Sequence, residues 1–121
     1  VHAGSTREEI LEAFPDYHLP DEIAETGWWN KGSETQSGCM ERAVRVAEKL
    51  KRRREKDEIL AIVSHARFID FLLKALLNQL PSLHCWYHHN NTALSRLGLT
   101  EERFWIRCLN RVTHLPVELV S

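Results

Sequence analysis

The run Ile59-Leu60-Ala61-Ile62-Val63-Ser64-His65 decides the fold of this chain. It is apolar, it is rich in β-branched residues and charged residues precede it, which is typical of a buried parallel strand. The next residues, 66–73, are apolar at nearly every helical spacing and predict a deeply packed helix. His65 therefore lies where a strand ends and a helix begins, beside the first free N–H groups of the helix and the positive end of its dipole. That position favours contact with a phosphate, and the alternative is a histidine that only caps the helix.

The rest of the pattern also mixes helices and strands. Two capping boxes, Ser5-x-x-Glu8 and Ser33-x-x-Gln36, predict the starts of two helices. The second of these helices is amphipathic, with its apolar face formed by Met40, Ala43, Val44, Ala47 and Leu50. In chain order we expect a short helix ending at residue 13, a helix reaching residue 56, the strand 59–64, a helix over 67–79, and strands over 92–97 and 104–109 with a turn at Gly98. This order indicates part of an open sheet with helices on its faces.

Composition limits the functions that the chain can have. Its 121 residues predict a single domain over residues 1–121, and a formal net charge of −1 gives no support to binding of nucleic acid or a membrane surface. The one basic run, residues 49–56, indicates the solvated end of a helix, with a nucleic-acid patch as the alternative. No segment approaches the ~20 apolar residues that span a bilayer. Three cysteines with no Cys-x-x-Cys pair favour a reduced, cytoplasmic setting.

Several motifs follow one another in an order that resembles the histidine phosphatase superfamily, the phosphoglycerate mutase-like proteins. Ile62-Val63-Ser64-His65 resembles the second histidine motif of that family, Val-Ser-His-Gly. The other matching segments are Pro15, Leu19-Pro20 and Gly27-Trp28-Trp29-Asn30, Glu34-Thr35 with Arg42 and Ala43-Val44, Asn91-Thr92-Ala93-Leu94-Ser95-Arg96-Leu97, Trp105-Ile106 to Asn110, and Thr113-His114-Leu115. The resemblance covers residues 14–115. It implies the α/β fold of these enzymes, a three-layer α/β/α sandwich, which is partial here and has an incomplete sheet.

The resemblance also implies a set of site residues. The counterpart of His65 contacts the transferring phosphoryl group and stabilises its charge. Ala66 stands where the family has a glycine whose N–H approaches the phosphate, Arg67 could add a bidentate phosphate contact, and Asn91 could reach the substrate. The implied substrate is a small phosphate ester, and no metal or other cofactor is required. For Arg67 the alternative is a surface ion pair with Asp70, and for Asn91 the alternative is the capping of a turn.

The chain departs from the family at the nucleophile. The family's Arg-His-Gly motif, whose histidine becomes phosphorylated, does not occur in this sequence. The stretch most similar to it is His2-Ala3-Gly4. Because covalent transfer needs that nucleophile, we expect negligible turnover from this chain alone. The chain begins at Val1 and has its only methionine at Met40, so we expect a truncated domain, with a naturally short chain as the alternative. The second function class is a non-catalytic module of the same fold that serves anion binding or dimerisation.

Two further expectations concern partners and metals. Without the Arg-His-Gly strand beside it, the segment 59–64 would be an exposed apolar sheet edge, so we expect a homo-oligomer formed through that edge. His84, Cys85, His88 and His89 include ligands that zinc prefers, but no second ligand pair lies nearby at finger-like spacing. We therefore expect no metal site, and we interpret this loop as cover for the active-site mouth with histidines at its polar surface.

Overall fold

The structure is a computed structural model that describes residues 4–27 and 32–121. Its elements, in chain order, are helix α1 (Arg7–Ala13), helix α2 (Gln36–Arg52), helix α3 (Ala66–Leu76), strand β1 (Leu94–Leu99), strand β2 (Phe104–Arg111) and a short 3₁₀ helix (Val117–Leu119). The chain divides into two compact units, Val1–Glu34 and Thr35–Ser121. His2, Ala3 and Trp28-Trp29-Asn30, which the sequence motifs include, lie outside the described residues.

Helix α1 belongs to the first unit and begins one residue later than its motif predicts. The N-cap is Thr6 and not Ser5: the Thr6 side chain accepts a hydrogen bond from the Glu9 N–H (3.2 Å), and the Glu9 carboxylate accepts one from the Thr6 N–H (2.8 Å). This reciprocal pair satisfies two N–H donors at the helix start. The Arg7 guanidinium then donates to three carbonyls of the loop 19–23, which holds that loop beside the helix.

Helices α2 and α3 pack against each other and form the core of the second unit. The predicted amphipathic face of α2 is confirmed, except that Val44 is half exposed. The Arg42 guanidinium lies 4.0 Å from the centroid of the Phe68 ring, so this cation also packs across the two helices. The buried apolar side chains are small on α2 and larger on α3: Cys39, Ala43, Ala47, Phe68, Phe71, Leu72, Leu73 and Leu76. Small residues facing large ones let the two helices approach closely.

The ends of both helices differ from the predicted ends. Helix α2 begins at Gln36 because Thr35, not Ser33, is its N-cap and accepts a hydrogen bond from the Gly38 N–H (3.1 Å). It ends at Arg52, before the last cations of the basic run. Helix α3 covers Ala66–Leu76 and stops short of the predicted residue 79. These differences of one to four residues leave the type of each element unchanged.

Strands β1 and β2 form an antiparallel pair. The predicted turn at Gly98 is wrong, because Gly98 lies inside β1 and directly opposite Trp105. A Cβ atom at position 98 would overlap the Trp105 ring, so a residue without a side chain is required there. The pair is irregular on both sides of Arg96. Leu97 and Phe104, one from each strand, pack against the helical core.

The segment 59–64 is not a buried strand, which corrects the prediction from its apolar run. No main-chain hydrogen bond joins residues 59–64 to another described residue. Ile59 and Val63 are 96% and 99% exposed, whereas Leu60 and Ile62 are 45% and 47% exposed. A strand needs a neighbouring strand to pair with, and the described residues supply none for this segment.

The secondary structure confirms the α/β class and the incomplete sheet. The described residues contain three α-helices and a two-stranded sheet, which is consistent with part of an α/β sandwich. None of the helices in residues 4–27 and 32–121 combines the length and the apolar character needed to cross a membrane.

We expect Gly98→Ala to lower the free energy of unfolding by about 1–3 kcal/mol, because the new methyl group would displace the Trp105 ring. Urea unfolding followed by far-UV circular dichroism measures the change. The matched control is the same substitution in a Trp105→Ala background, where it should cost less than about 0.5 kcal/mol. Equal costs in the two backgrounds would contradict the role given to the ring.

Candidate functional site

His65 occupies the N-cap position of α3. Its backbone is extended (φ −94°, ψ 151°), and its carbonyl accepts the Ile69 N–H at 3.0 Å. The residue is exposed, and its side chain makes no capping hydrogen bond. His65 is therefore the N-cap residue, as the alternative expected, but its side chain takes no part in the capping. Within the described part of the chain, the imidazole has no hydrogen-bond partner and is available to a ligand.

The first turn of α3 adds main-chain donors beside His65. The N–H groups of Ala66, Arg67 and Phe68 have no acceptor one turn earlier in the helix, as at the start of any α-helix. No acceptor elsewhere in the described residues takes their place. Such N–H groups, together with the positive end of the helix dipole, favour an anion. The imidazole and these donors are thus brought together by the point at which the helix begins.

Arg67 is exposed on the same first turn, and the ion pair with Asp70 that the sequence allowed is wrong. Asp70 is buried, and its carboxylate is held by the Lys74 ammonium (2.7 Å) and by the Tyr87 main-chain N–H (2.9 Å). No ion pair joins Arg67 to a residue that the structure describes. Its guanidinium therefore stays in solvent, on the turn that carries His65 and the free N–H groups.

Asp70 and Lys74 form a buried ion pair that anchors the loop after α3. Their side chains are 0% and 2% exposed. The Lys74 ammonium donates to the Asp70 carboxylate (2.7 Å), to the Ser82 carbonyl (2.6 Å) and to the Cys85 carbonyl (2.5 Å). An ammonium group has three N–H donors, so all of them are used. Because Asp70 also binds Tyr87, the loop is fixed along α3 and runs back towards the helix N-terminus.

The histidine-rich loop has one buried histidine. His84 and His88 are exposed, but His89 is buried, with Nδ1 2.9 Å from the Tyr87 carbonyl and Nε2 2.8 Å from the Ser95 hydroxyl. Since a carbonyl only accepts, Nδ1 is the donor of the first bond. The interpretation of these histidines as polar surface is therefore wrong for His89. Among the described residues, no three His, Cys, Asp or Glu side chains come together as a metal site.

Asn91 lies in the turn before β1 and binds the C-terminal residue. Its N–H donates to the Ser121 main-chain oxygen (3.0 Å), and its side-chain amide donates to the Ser121 hydroxyl (2.9 Å). No hydrogen bond links it to His65, Ala66 or Arg67 within the described chain. The phosphate-binding role of Asn91 therefore stays a prediction, whereas His65, Ala66 and Arg67 are consecutive at one helix start.

A bidentate ion pair between Arg53 and Glu58 closes the turn between α2 and the segment that leads to His65. The Arg53 Nε and Nη2 atoms lie 2.6 and 2.7 Å from the two carboxylate oxygens of Glu58. These hydrogen bonds lower the pKa of Glu58 and raise the pKa of Arg53. Both groups are at the surface, where solvent screens their attraction, so the pair adds little to the stability of the fold. Its effect is on the direction in which the chain leaves α2.

Sequence reasoning missed two polar networks, one that holds the loop after α3 and one that joins the residues before β1 to the two strands. It considered Asp70 only as a partner for Arg67, although opposite charges four residues apart on a helix, Asp70 and Lys74, are the signal of an ion pair. The second network has no such signal because its members are far apart in sequence. In it the Asn110 N–H donates to the Ser95 hydroxyl (3.0 Å), and the Asn110 side chain accepts the Asn90 N–H (2.7 Å).

Comparison with known proteins identifies the family. The family model described as histidine phosphatase superfamily (branch 1) matches residues 1–112. The chain belongs to this superfamily, and the resemblance drawn from its motifs is confirmed. No curated protein and no solved structure matches it.

Removing one partner of the buried ion pair should destabilise the chain more than removing both. We expect Lys74→Met to lower the free energy of unfolding by about 3–5 kcal/mol, because Asp70 would be left buried without its counter-ion. The double variant Asp70→Asn, Lys74→Met removes both charges and should recover at least about half of that loss. Urea unfolding measures both, with the surface variant Lys49→Met as the control. A double variant as unstable as Lys74→Met would contradict the argument.

Proposed function

We propose that this chain provides the second-histidine part of a phosphoryl-transfer site that acts on small phosphate esters. Membership of the histidine phosphatase superfamily supports this class of reaction. In the proposed reaction the phosphoryl group passes from the ester oxygen to a nucleophilic histidine nitrogen, and then to water or to another acceptor. The nucleophile belongs to an Arg-His-Gly motif that the 121 residues lack, so the chain is inactive on its own.

The start of α3 carries the proposal. An exposed imidazole without a capping bond lies beside three main-chain N–H groups that have no acceptor in the described chain. During phosphoryl transfer, negative charge is spread over the non-bridging oxygens of the phosphoryl group. Donors fixed in advance towards those oxygens stabilise the transition state without having to reorganise. In this proposal His65 stabilises charge and does not form the covalent bond.

Neighbouring residues extend the same anion site in the proposal. Arg67 adds a planar guanidinium that can bind two phosphate oxygens at once. Ala66 contributes its N–H, and its side chain adds only one methyl group compared with glycine. Asn91 would contribute its amide only if it exchanged its hydrogen bond to Ser121 for one to the substrate.

The same proposal includes the setting of the reaction. Imidazole, guanidinium and main-chain donors supply the positive charge, so no metal or other cofactor is needed. The three cysteines, Cys39, Cys85 and Cys108, are unpaired, which supports a reducing, cytoplasmic environment. The near-neutral chain, with a formal net charge of −1, supports a small phosphorylated substrate rather than a nucleic acid.

A second candidate function is a non-catalytic module that binds anions or forms dimers. It is favoured by the exposed segment 59–63, whose main chain has no hydrogen-bond partner among the described residues, and by the lack of an Arg-His-Gly motif. The first candidate and the anion-binding form of the second both use His65 as an anion ligand. They differ in whether the site takes part in turnover once a nucleophile is supplied.

We expect the purified chain to hydrolyse p-nitrophenyl phosphate no faster than buffer does, because no activated nucleophile is present. The absorbance of released p-nitrophenolate measures the rate. His65→Ala and His88→Ala form a matched pair, since each removes one exposed histidine and only the first alters the proposed site. Hydrolysis that is abolished by His65→Ala and retained by His88→Ala would contradict the inactivity of the chain.

A further inference from the structure

Helix α3 begins without the side-chain hydrogen bond that secures the starts of α1 and α2. Thr6 and Thr35 cap those two helices by accepting a main-chain N–H, whereas the His65 side chain makes no such bond. The first turn of a helix frays more readily when its N–H groups have no capping acceptor. In α3 these N–H groups, of residues 66–68, are the donors of the proposed anion site. Another contact must therefore hold them in position.

Phe68 joins the first turn of α3 to the core. Ala66 is partly buried and Arg67 is exposed, whereas Phe68 is only 6% exposed. Its side chain belongs to the same apolar cluster as Cys39 and Ala43 of α2. Because burial of an aromatic ring is strongly stabilising, the ring fixes the main chain from which it projects. The orientation of the three donors thus depends on how firmly the Phe68 ring is held.

Arg42 of α2 covers this ring. The guanidinium carbon lies 4.0 Å from the centroid of the Phe68 ring, a distance at which the cation is attracted to the ring face. The guanidinium is itself oriented by Cys39, one turn earlier on α2, because Nη2 donates to the Cys39 sulfur at 3.9 Å. Side chains on a helix lean towards its N-terminus, so the Phe68 ring and the cation above it lie beside the first turn of α3.

Helices α2 and α3 run parallel, which places both of their N-termini at the same end of the second unit. Arg42 lies beside Phe68, and further along α2 the Lys51 ammonium donates to the Ala75 carbonyl (3.3 Å) and to the Asn78 side chain (3.0 Å). Contacts that advance together along two helices require parallel axes. The positive ends of the two helix dipoles therefore point to the same side. The contact between Arg42 and Phe68 lies near that side, next to the donors.

We infer that Arg42 is a positioning residue of the anion site, because its contact with Phe68 orders the turn that the His65 side chain leaves uncapped. The inference deepens the proposed function and rests on it. Arg42 does not touch the phosphate but acts through Phe68, whose main-chain N–H is one of the three donors. A phosphate then binds more tightly because the donors are ordered before it arrives.

Titration of the full chain with inorganic phosphate, followed by the amide signals of residues 66–68, tests this role. Arg42→Met removes the cation but keeps an unbranched side chain, and we expect it to weaken phosphate binding about fivefold. Arg42→Lys keeps a cation over the ring and should bind phosphate within about twofold of the unmodified chain. The matched control is Arg45→Met, which removes the same charge from an exposed position of α2 and should leave the dissociation constant unchanged.

A double-mutant cycle shows whether Arg42 acts through the ring. Phe68→Leu removes the ring, and in that background we expect Arg42→Met to change the dissociation constant by less than about 1.5-fold. An equal loss of affinity in both backgrounds would overturn the positioning role. The unmodified chain gives a second readout, since the ring current of Phe68 should shift the side-chain proton signals of Arg42 upfield. Ordinary positions for these signals would overturn the contact itself.

The possible results separate this inference from the proposed function. If phosphate shifts the amide signals of residues 66–68 but Arg42→Met binds it as tightly as Arg45→Met does, the positioning role is overturned and the anion site stands. If Arg42→Lys binds phosphate as weakly as Arg42→Met, the cation over the ring is not the cause, and the role is again overturned. If phosphate leaves those signals unmoved in the unmodified chain, the anion site is wrong and the inference fails with it.

Discussion

The buried ion pair between Asp70 and Lys74 is the interaction on which the second unit depends. Two charges inside an apolar helix pair are costly to desolvate unless every donor and acceptor has a partner. Here the ammonium uses its three donors, and the carboxylate accepts from Lys74 and from the Tyr87 N–H. The pair therefore determines which main-chain groups of the following loop must lie along α3.

This constraint extends from the loop to the sheet and to the start of the helix. The loop continues into His89, whose ring is hydrogen-bonded both to the Tyr87 carbonyl and to the Ser95 hydroxyl on β1. The Ser95 hydroxyl also accepts a hydrogen bond from the Asn110 N–H of β2. At its other end α3 is packed against α2 through Phe68. The helix is thus fixed on both sides, which leaves its first turn and His65 in a defined position at the surface. A ligand that binds there meets donors whose positions are already set.

The sequence was sufficient for the elements that local periodicity determines. Apolar spacing predicted α2 and α3, and alternation predicted β2. The N-cap residues of α1 and α2 lie one and two positions after the predicted ones, because neighbouring Ser and Thr residues compete for the same role. The segment 59–64 has the composition of a buried strand, but pairing depends on a second strand and cannot be deduced from one run of residues. Gly98 was assigned to a turn because glycine is common in turns. Its actual role is to leave room for the ring of Trp105 on the neighbouring strand, and the sequence does not reveal that neighbour.

For the site as well, the sequence predicted what neighbouring residues determine and missed what contacts between distant residues determine. His65, Ala66 and Arg67 are consecutive, so a motif at a strand-to-helix junction was enough to place them at one helix start. The partners of Asp70 lie 4 and 17 residues away, and the second of these is a main-chain group that carries no side-chain signal. The network of Asn90 and Asn110 spans 20 residues and depends on the register of the hairpin. Contacts of that kind become visible only in three dimensions.

The most decisive measurement is a titration of the isotopically labelled chain with inorganic phosphate, followed by the amide signals in two-dimensional NMR. We predict that the largest shifts occur at the N–H groups of Ala66, Arg67 and Phe68, and that His65→Ala weakens phosphate binding by roughly tenfold. His88→Ala should leave the dissociation constant unchanged. Shifts centred on the basic run 49–56, or a dissociation constant that His65→Ala does not alter, would contradict the assignment of an anion site to the start of α3.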